Sequence, residues 1–296
     1  MRRIVVAEMP IDIQMEDVAF FDKRFAAYLS ENDAPAQLRI TSRTAPQIIP
    51  PVGEQIMKVR NTTVLRMEDG RYCHVQYDPK REIYYQMCVY RPDFSESDIQ
   101  LAIPKEDSGL TDADFEHAYI GFDFASRLGV LGGAVLHGSA IAYKGRGVIF
   151  SAPSGTGKST HTGFWKQCFG EDVIFVNDDK PALRFEQEAV YMYGTPWSGK
   201  TDLNTNIRVP LHAVVFVERG EKNAVRRLAL TESIYYLQSQ VIQPYHDAKV
   251  GSALIDRMIE VATRVPVYML TCNMDPEAAY VARAAVFADD GKEVVV

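Results

Sequence analysis

Residues 151–160 read "SAPSGTGKST", and the reading of this run decides the fold. The apolar stretch "VIF" leads into it, small residues follow, and Gly157-Lys158-Ser159 opens a stretch of helical character. Strand, glycine turn, Gly-Lys-Ser and helix, in that order, distinguish a phosphate loop from a chance cluster of small residues. Gly155 and Gly157 can take positive φ, which turns successive N–H groups inward as an anion nest. The helix N-terminus adds partial positive charge. Pro153 offers no N–H, so the phosphate-binding set is Ser154, Gly155, Thr156, Gly157, Lys158, Ser159 and Thr160. Lys158 reaches the β- and γ-phosphates as a point charge, and the Ser159 hydroxyl ligates Mg²⁺. Ala152 stands where the common pattern has glycine; it ends the strand and is excluded only if φ there must be positive.

About twenty residues on comes "FVNDDKPAL", an apolar strand ending in Asp178 and Asp179. Adjacent side chains at a strand end point in different directions, which suits two tasks: one carboxylate holds the metal, the other accepts a hydroxyl proton. The competing reading is an acidic turn. His137, in "LHGSA", lies on a strand expected to pair back onto the loop-bearing strand, and so near the same end of the sheet. Asn177 is a further group able to orient a carboxylate.

The rest of the chain divides by character. Residues 1–110 read as a small β-rich α+β module. "RRIVVAEM" is a strand and "MEDVAFFDKRFAAYL" a helix; an antiparallel meander follows, punctuated by Asp69-Gly70 and Asp78-Pro79-Lys80. The polar, Pro-punctuated run 92–111 is expected to connect two domains. Thr111 and Asp114 form a capping box for a helix after it, and residues 111–296 read as the catalytic α/β domain. There "AVLHGSAIAY", "VIFSA", "DVIFVN" (buried), "AVVFVE" and "PVYMLTC" are the strands.

The 296 residues carry a formal charge of −7. With no basic excess to displace counterions, nucleic acid is not an expected partner. No apolar run approaches the ~20 residues of a membrane span and no leader-like segment is visible, so a cytoplasmic protein without membrane contact is expected. Cys73, Cys88, Cys168 and Cys272 are widely spread, which suits reduced thiols rather than a disulfide framework or zinc site.

"LHGSAIAYKGRGVIFSAPSGTGKST" followed by "VIFVNDDKPAL" resembles the HPr kinase/phosphorylase family, and "SGTGKST" is similar to the loop of ATP-dependent phosphoenolpyruvate carboxykinases, which share that catalytic fold. The resemblance is close over residues 131–185 and loose beyond. It implies a P-loop domain with a mixed sheet, in which strands 133–143 and 147–151 form a hairpin. It also implies ATP and Mg²⁺ as ligands, with Lys158 on the phosphates, Ser159 and Asp179 at the metal, Asp178 as general base and His137 in the active site. The family tends to assemble, which leaves the oligomeric state open between a monomer and a homo-oligomer. The downstream "RGxG" signature is absent. "YMYGTPWSGKTDLNTNIRVPL" stands there instead and resembles a stretch of divergent HPr-kinase-like proteins of bacterial gene clusters, some encoded beside peptide-modification genes. Within it, Lys200 or Arg208 is a candidate charge clamp on a loop closing over phosphate or acceptor; the competing reading is an exposed hairpin.

The expected function is therefore an ATP- and Mg²⁺-dependent kinase acting on a hydroxyl, serine foremost, of a small protein, peptide or small molecule. The alternative is a nucleotide-binding sensor or adaptor with vestigial turnover. Carboxykinase chemistry ranks third, because the chain is short and lacks a second metal site of His and Lys.

Overall fold

The computed structural model describes residues 1–102, 109–244 and 247–288. They form two compact units: Met1–Leu131 with Gln243–Gly251, and Gly132–Ile242 with the chain from Ser252 onward.

The first unit contains β1 (Arg2–Val6), β2 (Met9–Gln14), α1 (Val18–Arg24), β3 (Leu38–Thr44), β4 (Glu54–Val59), β5 (Thr62–Arg66), β6 (Tyr72–Asp78), β7 (Ile83–Tyr90), β8 (Glu96–Leu101) and α2 (Asp112–Val130). One sheet takes all eight strands, ordered β1-β2-β3-β8-β7-β6-β5-β4. The meander β4 to β8 is antiparallel as its turn residues require, with Gly70 at φ 83°. β3 pairs parallel with both β2 and β8, so the sheet is mixed.

The expected connection over 92–111 is corrected. Its described part contains β8, an interior strand between β3 and β7. Ser97, Ile99 and Leu101 point inward while the alternate residues are polar, and that half-polar pattern gave the run its linker-like composition. Residues 103–108 lie outside the described residues. The helix expected to open the catalytic domain belongs to the first unit. α2 carries the Thr111–Asp114 capping box, and its Arg127 donates to the carbonyls of Gln37 and Asp93. The division thus falls at 131/132 rather than 110/111.

The second unit contains β9 (Ala134–Val135), β10 (Gly138–Tyr143), β11 (Arg146–Ser151), α3 (Lys158–Phe169), β12 (Val173–Asn177), β13 (Ala182–Phe185), β14 (Val190–Tyr193), β15 (Arg208–Arg219), β16 (Ala224–Arg227), α4 (Leu230–Gln240), β17 (Val267–Cys272) and α6 (Glu277–Val286). Helix α5 (Ala248–Arg264) runs into it. The strand order is β12-β10-β11-β15-β14-β13-β9, with β17 also pairing β15, and β16 pairing β17. β10 and β11 form the expected antiparallel hairpin, whereas β11, β15 and β17 are parallel. The sheet is mixed and the fold α/β.

Two strand expectations are corrected. The run 134–143 is broken: Ala134–Val135 pairs with β13, and Gly138–Tyr143 with β11 and β12. The buried reading of β12 holds only in part: Val173, Val176 and Asn177 are buried, but the strand ends the order beside β10 and Ile174 is 48% exposed. The core lies between this sheet and helices α3 and α6, where Phe150, Trp165, Val215 and Ala279 meet. Ala152 is buried in that core and does not take a positive φ, so its methyl group fits where the common motif has glycine.

Candidate functional site

The loop leaving β11 turns where glycine permits. Gly155 has φ 76° and Gly157, the N-cap of α3, has φ 121°; both are expensive for a residue with Cβ. Lys158, in the first helical turn, is buried, and its ammonium donates to the carbonyls of Ala152 at 2.9 Å and Pro153 at 3.4 Å. Burial lowers its pKa, while the charges of Asp179 and Asp178 oppose that shift. Both carboxylates therefore lie within electrostatic reach of the lysine. Ser154, Ser159 and Thr160 are exposed at the loop and the start of the helix, and the Thr156 hydroxyl donates to Pro153 O. A cavity of about 250 Å³ opens beside the loop between Thr160 and Phe164 on one side and Val217 and Met274 on the other.

The aspartate pair is shaped by Asn177. Its side-chain oxygen accepts from the backbone N–H of Asp179 at 2.8 Å and of Lys180 at 2.5 Å, an Asx turn. Its amide donates to Thr195 O at 2.8 Å. Past the end of β12 the two carboxylates have different partners. Asp178 is buried; Oδ1 accepts from Ser139 at 2.5 Å and Oδ2 from Thr201 at 2.7 Å. Asp179 lies nearer the surface, paired with Lys180, and its Oδ1 is 3.5 Å from His137 Nε2.

His137 sits at the break between β9 and β10, where the main chain bonds to other segments: His137 N–H to Gln240 O, and Gly138 N–H to Asp179 O. Its Nδ1 meets Gln240 Oε1 at 3.2 Å. Burial and the nearby Lys158 lower its pKa more than Asp179 raises it, which favours the neutral imidazole.

The stretch 194–205 folds across the aspartate turn. A Cβ on Gly194 would collide with Thr205 O and lie 2.7 Å from Val176 O, so only glycine allows this approach. Trp197 and Ser198 are buried, so the exposed-hairpin reading fails for them, while Gly199 and Lys200 are exposed. Arg208 is not at the site: it pairs with Glu186 at 2.5 Å and stacks 3.7 Å from the Tyr191 ring. His161 is fully packed in α3, accepting from the Trp165 indole.

Sequence reasoning missed several members of this arrangement. Ser139 and Thr162, 2.8 Å apart, support Asp178 from β10 and α3. Arg219, at the end of β15, donates to Gly155 O at 2.7 Å and Thr156 O at 3.3 Å. Hydroxyls and a single arginine on distant segments have no local signature; only their convergence marks them.

Among the described residues no cluster of three or more His, Cys, Asp or Glu is placed to hold a metal unaided. Magnesium needs fewer protein groups, since phosphate oxygens and waters fill most of its sphere. Ser159 offers an exposed hydroxyl and Asp179 a carboxylate, donor types that such an ion accepts.

No curated protein matches the chain. One solved structure, the Hpr(Ser) kinase/phosphatase from Coxiella burnetii, shows a distant likeness: 11% identity and a TM-score of 0.34, over 53% of this chain and 93% of that one. No helix among the described residues is long and apolar enough to cross a membrane. A family profile described as "SynChlorMet cassette protein ScmC" matches residues 123–277, a span of more than half the chain that takes in the glycine loop, the aspartate turn and every side chain gathered around them, and on that match the chain belongs to the ScmC family.

Proposed function

We propose that the second unit is a nucleoside-triphosphate-dependent kinase, with ATP as donor and a hydroxyl of a protein, peptide or small molecule as acceptor. The supporting observation is the convergence on Lys158: a glycine loop able to cradle phosphate and two divergent carboxylates within electrostatic reach of one buried ammonium. The loop backbone and Lys158 bind the phosphates; Ser159 and Asp179 hold Mg²⁺, which neutralises charge on the transferred group. The cavity beside Thr160 and Phe164 offers space to the nucleoside. Asp178, kept in place by Ser139, takes the acceptor proton. His137, its ring held by Gln240, stands beside Asp179 at the edge of the site. Lys200 stands on the exposed turn from which it can meet the transferred phosphoryl group.

One observation favours a nucleotide sensor instead: both oxygens of Asp178 are already engaged by hydroxyls of this chain. Labelled ATP with candidate acceptors separates the two. Transfer by the wild type, lost in Asp178→Asn while ATP still binds, supports the kinase; undiminished transfer by that variant removes Asp178 as base, and tight binding without transfer favours the sensor.

A further inference from the structure

We infer that Thr201 is itself a phosphoryl acceptor, modified in cis by the nucleoside triphosphate at residues 154–160; this rests on the kinase reading above. The Thr201 hydroxyl donates to Asp178 Oδ2 at 2.7 Å, the position a foreign hydroxyl would need if that carboxylate is the base. Its other acceptor, Ser198 O, is 3.2 Å away. The charged, closer oxygen takes the hydrogen.

The segment is built to hold it there. Gly199 at φ 66° and Asp202 at φ 55° turn the chain on either side of Lys200-Thr201. Beyond them the loop is anchored: Asp178 N–H donates to Leu203 O at 3.1 Å, Thr205 N–H to Val176 O at 3.1 Å, and Asn204 to the Ser198 hydroxyl at 2.8 Å. Ser139, the other hydroxyl on Asp178, is a poor acceptor by contrast. It is completely buried in β10 and backed by Thr162, so no phosphoryl group can approach it. Thr201 is exposed on its loop.

In the transfer, Thr201 Oγ1 forms a bond to the γ-phosphorus, the bond from that phosphorus to the β-phosphate bridging oxygen breaks, and the nucleoside diphosphate leaves. The hydroxyl proton passes to Asp178 Oδ2. The product places a phosphate dianion beside Asp178 and Asp179, where like-charge repulsion drives the turn outward and uncovers Asp178. Modification of Thr201 thereby opens the acceptor position to other hydroxyls.

The test incubates the intact protein with ATP and Mg²⁺, maps phosphate by peptide mass spectrometry, and measures ATP binding separately by calorimetry. One phosphate per chain on Thr201 is expected, with a rate constant independent of protein concentration. Thr201→Ser should remain modified at that position and Thr201→Val should not, with ATP binding by the valine variant showing that it is folded. Bound ATP with no phosphate at 201, or labelling elsewhere that survives Thr201→Val, overturns the inference and leaves the kinase reading standing. A rate that rises in proportion to protein concentration overturns modification in cis. A wild-type protein that binds no ATP overturns the underlying reading, and this inference with it.

Discussion

The side-chain oxygen of Asn177 lies 2.8 Å from the backbone nitrogen of Asp179, and the other end of the same carboxamide lies 2.8 Å from the carbonyl oxygen of Thr195. One completely buried side chain thus sets the direction of the aspartate turn and ties it to the segment crossing above. Asn177→Leu leaves two backbone donors and a carbonyl without partners in the interior. A loss of about 2–4 kcal/mol is expected, read from urea unfolding. Asn177→Asp keeps the oxygen and should recover part of it; equal losses in both would mean that the Asx turn contributes nothing.

Lys158 and Arg219 hold different carbonyls of the glycine loop, those of Ala152 and Pro153 against those of Gly155 and Thr156. Lys158→Met removes the only ammonium at the loop itself and should weaken triphosphate binding about a hundredfold or more, as truncating one partner of a buried charge pair costs roughly 2–5 kcal/mol. Arg219→Ala leaves Lys158 in place but frees the carbonyls of Gly155 and Thr156. About a tenfold loss is expected, with melting temperature little changed. Calorimetric titration of both variants checks this, and wild-type affinity in Arg219→Ala would remove the arginine from the site's support.

Acid should weaken the second unit through His161. Burial pushes this imidazole from 6.5 down to about 4, so between those values the unfolded chain binds a proton that the folded chain refuses. Its stabilising contribution is complete above about pH 6.5 and is lost as the pH falls towards 4. At about 1.4 kcal/mol per pH unit the effect is on the order of 3 kcal/mol. Chemical unfolding of wild type and His161→Gln at pH 7 and 4.5 measures it; an unchanged pH slope in the variant assigns the acid sensitivity elsewhere.

Gly194→Ala should be costly although glycine is usually replaced easily. The added methyl group meets Thr205 O and lies 2.7 Å from Val176 O, both main-chain atoms that cannot rotate away. A loss of about 3 kcal/mol or more is expected, with separation of the 194–205 segment from β12. Faster amide exchange at Thr205, whose N–H donates to Val176 O, is the specific signature; a purely global loss of stability would contradict it.

The parts of this unit legible in the sequence are those whose cause is local. Gly155, Gly157 and Lys158 work through their own backbone and the helix they begin. Asp178 and Asp179 are set apart by the Asx turn of the asparagine just before them, and Thr111 caps a helix three residues away. What could not be read depends on meetings between distant segments. Thr201 reaches Asp178 because Gly194 lets two main chains approach, and Arg219 reaches Gly155 because β15 runs parallel to β11. The strand at 134–143 breaks because residues 136–138 bond to Pro181, Gln240 and Asp179 rather than continuing a ladder. β8 was misread for another reason: an interior strand with polar residues on one face has the composition of a linker.

β15 pairs at its start with β14 and farther along with β11 and β17. Its first residue, Arg208, is clamped between Glu186 and Tyr191, and its last, Arg219, grips the glycine loop. The strand therefore acts as a ruler whose graduations are residues, each advancing about 3.3 Å. One residue added within it would shift the far guanidinium by that amount and turn it to the opposite face of the sheet. Substitutions along the strand can be absorbed by repacking, but its length cannot drift: a chain that inserted or deleted a residue between the two arginines would keep both and still lose its hold on the loop.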